Sequence, residues 1–411
     1  MPLCVLLTLV RRLQDVWSYI TGRPSRDREK LGPDPCVVIV KLSEMGSTVL
    51  AVPALQRLCR LHPGAKLYYV CFDENRAVLD ILPGIRWEAV HTIRTGSLLA
   101  VLRDSWRVML QLRKLKPDVA IDLEVFSRAS AALIFASGAT WRVGFHRFRA
   151  EGMNCGDLFT HRLSYNSHLH TTGAFLAMVE ALAADAGDLP LLKQIVRTPE
   201  ALAPFEPAES QRQSVLAKLR QRGCPVGESP PIVLLNANTS DLLPLRKWPT
   251  ERFEELARRC LMLDEHIWVV LTGAAKEASA IEALRTRIGQ ARVISMAGQT
   301  TLSELLALYH LGRVLVTNDS GPVHFAALTP ISVVALFGPE TPNLYGPLGK
   351  RHTSITARLA CSPCIHVYNA RATACKNNLC MQAITVDEVF SAVRESLEAQ
   401  GLGADAVADM R

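Results

Sequence analysis

At 411 residues the chain is too long for one comfortable core and suits two domains of about 150–200 residues each. Hydrophobic residues make up 49% and charged residues 21%, which excludes intrinsic disorder; the net charge of +7 is dispersed without long Lys/Arg runs, which argues against nucleic acid as a partner. A mildly basic surface fits anionic ligands and acidic membrane surfaces about as well. Seven of the cysteines (Cys4, Cys36, Cys59, Cys71, Cys155, Cys224 and Cys260) stand singly in apolar stretches and read as reduced, buried thiols of a cytosolic protein.

The first residues, MPLCVLLTLVRRLQDVWSYITGRPSRDREK, hold an apolar run from Pro2 to Val10 that is too short to span a bilayer. Arg11 and Arg12 follow that run, whereas a signal peptide carries its positive charge ahead of it. Leu6, Leu9, Val10, Leu13, Trp17 and Ile20 fall at helical spacing, which predicts an amphipathic helix that either packs on the protein itself or lies on a membrane surface. Pro24, Gly32, Pro33 and Pro35 punctuate a linker that completes segment 1–35.

From Cys36 onward, short apolar runs alternate with longer amphipathic stretches. CVVIVKL, KLYYVCF (66–72), IRWEAVHTI (85–93), DVAIDLE (118–124) and WRVGF (141–145) predict strands, and segments near 48–61, 97–116, 127–138 and 171–186 predict helices. After a Pro-rich stretch near 189–207 the pattern restarts with IVLLNAN (232–238), IWVVLTG (267–273), RVISMAG (292–298), RVLVTND (313–319) and ISVVALFG (331–338). The alternation predicts an α/β protein of two Rossmann-like, doubly wound domains, 36–205 and 206–385, facing across a cleft where the strand C-terminal ends bind ligands. A last helix near 386–399, within the terminal segment 386–411, could reach back onto the first half.

Three strand ends carry chemistry. In VLVTNDSGPVHFAAL a buried strand ends at Asp319, and Ser320-Gly321-Pro322 opens a helix whose free N–H groups make an anion site. Asp319 can accept hydrogen bonds from sugar hydroxyls and His324 points toward the same region; the plainer reading makes Asp319 a helix cap and His324 a core histidine. In NANTSDLLPLRKWPTERF, the polar exit Asn238-Thr239-Ser240 leads to Lys247, which can neutralise a diphosphate without a metal, or is simply a solvated loop lysine. LTGAAKE places Glu277 where an acid can bind ribose hydroxyls.

VIVKLSEMGSTVLAVPAL, RKWPTERF, LTGAAKE and TNDSGPVHFAALTPISVVALFGPETP together resemble glycosyltransferase family 9, the ADP-heptose:lipopolysaccharide heptosyltransferases, in order and spacing over roughly residues 36–390. The resemblance implies a GT-B fold and inverting transfer of a heptose-like sugar from an ADP-activated or similar donor to a lipopolysaccharide-type or other lipid-linked glycan. The N-terminal half would bind the acceptor and the C-terminal half the donor. Lys247 would hold donor phosphate with Thr239 and Ser240 near it, and Ser320 and Gly321 at the helix tip. Glu277 would meet the donor ribose, and Asp319 with Gly321 and His324 the donor sugar. No cofactor is required by this arrangement.

One position departs from the family. An aspartate usually follows the motif glycine and serves as the favoured base, whereas this chain has Ser47. A serine hydroxyl is no general base near neutral pH, so Glu44, three residues earlier on the same loop, is the candidate replacement. Ser47 also keeps open a non-catalytic nucleotide-sugar or glycan-binding relative of the family. Pro53, inside the expected first helix, predicts a kink or a late helix start.

In the tail, Cys361, Cys364, Cys375 and Cys380 fall within twenty residues and can form a tetrahedral structural zinc site, with unligated or disulfide-capable thiols as the alternative. His168 and His170 either line the acceptor side or take capping and buried roles. Arg128, Arg142, Arg147 and Arg149 bind acidic groups of the acceptor or cover the domain edge. The expected location is cytoplasmic, with peripheral contact at the inner face of the cytoplasmic membrane as an extension.

Overall fold

The computed structural model describes residues 7–10, 31–147, 155–185, 187–190, 192–228, 230–239, 243–369 and 371–401. Most of the amphipathic helix expected at the N-terminus lies outside them, as do Ser240 and Arg149. Residues 7–10 are helical; Leu7 packs against the first core, and the Thr8 hydroxyl accepts from Asp157 N at 3.0 Å. The chain forms two compact units, Met1–Thr198 and Pro199–Arg411.

In the first unit β1 (Cys36–Val40) leads into α1 (Met45–Leu50) and α2 (Val52–Leu61), followed by β2 (Lys66–Phe72), β3 (Ala89–Ile93), α3 (Leu98–Leu115), β4 (Val119–Asp122), α4 (Arg128–Ser137), β5 (Trp141–Phe145), β6 (His161–Leu163) and α5 (Thr171–Glu180). The strands form one parallel sheet in the order β3-β2-β1-β4-β5-β6. Near-continuous apolar runs such as VVIV in β1 suit a strand covered on both faces. The helix expected over 48–61 is two helices: the chain breaks at Ala51, and α2 restarts with Pro53 in its first turn, where proline forfeits no hydrogen bond.

The second unit repeats the plan with α6 (Glu209–Arg220), β7 (Ile232–Asn236), α7 (Thr250–Leu263), β8 (Trp268–Leu271), α8 (Ala278–Ile288), β9 (Val293–Ser295), α9 (Leu302–Leu311), β10 (Val314–Asn318), α10 (Gly321–Ala326), β11 (Ser332–Phe337), α11 (Pro342–Tyr345), β12 (His352–Thr356), α12 (Leu379–Gln382) and α13 (Val386–Glu398). Its sheet is again wholly parallel, in the order β12-β11-β10-β7-β8-β9. The final helix α13 is part of this unit's core, where it buries Val389, Val393 and Leu397. In each sheet the winding reverses once, between β1 and β4 and between β7 and β10, which is where open parallel sheets bind ligands.

Candidate active site

At the second unit's switch point, one side chain fastens three segments. The Asn318 amide, at the end of β10, accepts from Trp248 N at 2.9 Å and donates to Asn238 O at 3.2 Å. The exit of β7 and the lysine loop are thus both tied to the residue beside Asp319. From the tail, Asn378 Nδ2 donates to Leu245 O at 3.0 Å and Lys247 O at 2.9 Å, and the fully buried Trp248 donates its indole N–H to Ile384 O at 2.9 Å. The Lys247 backbone is therefore fixed, while its half-buried ammonium pairs with no carboxylate among the described residues.

Two buried polar atoms at this point, Asn238 Nδ2 and Asp319 Oδ2, have no hydrogen-bond partner among the described residues. Such groups are costly unless a ligand or water completes them. Thr239 lies beside Asn238 and is half-buried. Glu277 Oε2 accepts from Ala274 N at 2.7 Å, a local capping bond. Gly273 makes room for this: a Cβ there would stand 3.1 Å from Glu277 Oε2 and 3.2 Å from Asn238 Nδ2. The structure therefore brings Glu277 to the same strand ends as Asn238.

Asp319 is not the helix cap. Ser320 takes that position, its hydroxyl donating to Asn318 O at 3.1 Å, and α10 from Gly321 is only six residues long. So short a helix has little dipole, and only its local N–H groups are on offer there. His324 is buried one turn in. Asp319 belongs instead to a buried triad that sequence reasoning missed: Arg246 Nη1 lies 3.2 Å from Glu340 Oε2 and 3.6 Å from Asp319 Oδ2. Both new members sit inside motifs already singled out, Arg246 just before Lys247 and Glu340 in FGPETP.

One guanidinium cannot neutralise two buried carboxylates. Burial and then the Asp319 charge push Glu340 up to about 8, and burial raises Asp319 as well. The buried pair therefore keeps a proton between its two carboxyls at neutral pH. Because folding raises Glu340 above its ordinary 4.5, the stability it contributes is complete below that value and is lost as pH rises through about 8. The melting temperature should therefore fall from about pH 5 to about pH 8 and level off above it, and Glu340→Gln, which cannot ionise, should flatten that fall. Equal slopes for wild type and variant in a thermal-shift series would refute the assignment.

The first unit's switch point is built around Glu124, which leaves β4 and accepts from Leu42 N at 2.8 Å, Ser43 N at 3.0 Å and Lys41 Nζ at 3.1 Å. These bonds set the loop that carries Glu44. Glu44 has φ of 67°, in the left-handed region, and is one-third exposed. Its Oε2 lies 3.8 Å from Lys41 Nζ and 3.4 Å from the Ser47 hydroxyl, which donates to Glu44 O at 3.0 Å. Glu44 and Ser47 are together as expected; Lys41 and Glu124, their supports, were not anticipated.

The zinc expectation gains no support. Among the described residues no three His, Cys, Asp or Glu side chains gather as a metal-holding group, and all four tail cysteines are free thiols. Their own loop occupies them: Cys375 Sγ donates to Asn377 O at 3.1 Å, and Cys364 Sγ accepts from the Thr373 hydroxyl at 3.6 Å. Cys361 is exposed, whereas Cys380 is buried beside Gly338. The tail instead buttresses the lysine loop through Asn378 and Ile384.

Of the side chains with two open readings, His170 caps α5, its Nδ1 accepting from Thr172 N at 3.2 Å, and His168 is exposed. Arg142 donates to Ala139 O at 2.7 Å and Leu158 O at 2.8 Å, which ties down the domain edge. Arg147 stands over the Phe126 ring, and Arg128 opens α4.

Two doubly wound parallel sheets in one chain, each with polar residues gathered at its switch point, are the architecture of the GT-B fold. Solved structures bear out the fold: an ADP-heptose lipopolysaccharide heptosyltransferase II from E. coli aligns with TM-score 0.67 at 20% identity, covering 89% of this chain and 99% of that one. A family 9 glycosyltransferase from Veillonella parvula aligns with TM-score 0.70 at 20% identity, covering 90% and 99%. The profile of glycosyltransferase family 9 (heptosyltransferase) matches residues 105–373, and the chain belongs to that family. Among its relatives, lipooligosaccharide heptosyltransferase 2 of Haemophilus influenzae is 25% identical over 322 residues, 78% of this chain and 88% of that protein. Lipopolysaccharide heptosyltransferase 2 of E. coli K12 is 38% identical over 112 residues, 26% of this chain and 31% of that protein.

Proposed function

We propose that this glycosyltransferase moves a heptose-like sugar, with inversion, from an ADP-activated or similar nucleotide donor to a lipopolysaccharide-type or other lipid-linked glycan, working in the cytoplasm. The relatives' names support heptose and the lipid-linked acceptor, and a similar E. coli heptosyltransferase was solved with ADP. The single observation that carries the donor reading is the fixed loop that holds a half-buried Lys247, with no ion pair among the described residues, next to Trp248, whose N–H bonds Asn318 beside Asp319.

In this reading the C-terminal unit holds the donor. Lys247, Thr239, the backbone N–H groups at Ser320 and Gly321, and Ser240, which lies outside the described residues, take the diphosphate. Asp319 and His324 take the sugar and Glu277 the ribose. The N-terminal unit binds the acceptor and supplies the base. Glu44 removes the proton from the acceptor hydroxyl, whose oxygen attacks the anomeric carbon as the nucleoside diphosphate departs with the bonding pair. Lys247 stabilises the charge that builds on that leaving group.

Thermal-shift titration with ADP, UDP and GDP tests the donor assignment. A ligand that binds only the folded chain raises its melting point with concentration, by about 2.7 kcal/mol of added stability at a hundred times Kd. ADP is expected to shift wild type most. No shift with any nucleoside diphosphate sinks the reading.

A further inference from the structure

Most exposed large apolar side chains among the described residues, such as Leu61, Ile195 and Met262, are scattered over different elements. Helix α3 is the exception: Leu98 is 75% exposed, Leu99 76%, Leu102 59%, Trp106 63% and Leu110 43%. Leu98, Leu102, Trp106 and Leu110 follow one another four residues apart, so they form a single stripe along an eighteen-residue helix, with Leu99 at its side. The opposite face, with Asp104, Val108 and Leu112, is buried. Apolar side chains grouped in this way on a monomer mark an interaction surface.

The charge on α3 says what kind. Arg103, Arg107, Arg113 and Lys114 are exposed on it, and Lys116 follows. Its only acid, Asp104, is buried and takes hydrogen bonds from Arg94 Nε at 2.7 Å and Nη2 at 2.9 Å, with Arg107 Nη2 3.7 Å away. Those bonds hold its carboxyl well below the usual range. The helix therefore offers leucines, a tryptophan and cations, with no exposed acid. A second copy of the same face would bring cations to cations. A bilayer with anionic headgroups accepts both kinds of side chain at once, the apolar row at the acyl boundary and the cations at the phosphates.

We propose that α3 docks the first unit on an anionic lipid surface, with Leu98, Leu102 and Trp106 inserted at the headgroup boundary and Arg103 and Lys114 against the phosphates. The helix lies along the surface; among the described residues no helix is long and apolar enough to cross a membrane. Neither Arg103 nor Lys114 has an ion pair or hydrogen bond among the described residues, so both are available.

Sedimentation of the full chain with vesicles of phosphatidylcholine, with and without phosphatidylglycerol, tests this. Wild type should bind the anionic vesicles and release in high salt. The triple variant Leu98→Ser, Leu102→Ser, Trp106→Ser should bind more than about tenfold more weakly. The double variant Arg103→Gln, Lys114→Gln should lose about fivefold for each charge removed. All five positions are solvent-facing, so melting temperatures should hold, and the charge variant keeps the test decisive if the apolar one misfolds. The proposal is overturned if wild type ignores anionic vesicles, or if both variants bind like wild type, including the case where only deletion of residues 1–30 abolishes binding. It is equally overturned if the variants alter the sedimentation coefficient of the free protein and leave vesicle binding intact, because the stripe then belongs to a second copy.

Discussion

Lys247→Ala should lower kcat/KM for the sugar donor by about 100- to 1,000-fold, the usual loss when a preorganised group facing developing charge is removed. The expectation rests on the way the loop is held. Asn318, Asn378 and the Trp248 indole fix the backbone on both sides of the lysine, so the side chain springs from a rigid base. Since the side chain is half-buried and pairs with no carboxylate among the described residues, its removal leaves no buried charge behind and should barely move the melting temperature. Lys247→Arg should recover part of the loss, because it keeps the charge and changes its geometry. Steady-state kinetics with a nucleotide-heptose donor decide the matter: an alanine variant within twofold of wild type removes Lys247 from the donor site.

The second large effect is at Glu44. Glu44→Gln should reduce kcat by about 100- to 10,000-fold with little change in donor KM, as expected when a general base is lost and binding is kept. The amide has nearly the shape of the acid and preserves the contact with Ser47. Restoring a carboxylate one turn away, with Ser47→Asp in the Glu44→Gln background, should return a measurable fraction of the rate, since the Ser47 hydroxyl lies 3.4 Å from the Glu44 carboxylate. A Glu44→Gln variant with wild-type kcat and an unchanged pH profile assigns the base elsewhere.

The strands were legible in the chain because short runs rich in aromatic and β-branched residues stand out between amphipathic stretches: WRVGF and KLYYVCF match β5 and β2 to the residue. Strands β6 and β12 were not legible. HRL is too short, and HTSIT too polar, for either to stand out from a loop. Only their pairing with β5 and β11 makes them strands. The site divided in the same way. Residues that project from strand ends, Glu44, Lys247, Glu277 and Asp319, announce themselves through charged or glycine-rich breaks after apolar runs. Their supports are Asn318, Asn378, Arg246, Glu340 and Glu124. These act across sequence separations of up to 133 residues, which no local pattern encodes.

The polar rim strand β12 has a bearing on how this molecule avoids its own kind. An open parallel sheet ends in unpaired N–H and C=O groups that invite a neighbouring molecule to add a strand. On one border of the second sheet those groups belong to five residues, His-Thr-Ser-Ile-Thr, that are half-buried to exposed and mostly hydrophilic. A stray chain that docked there would find hydroxyls holding water where a greasy ridge would reward it. The polar composition of this border strand thus disfavours edge-to-edge pairing there.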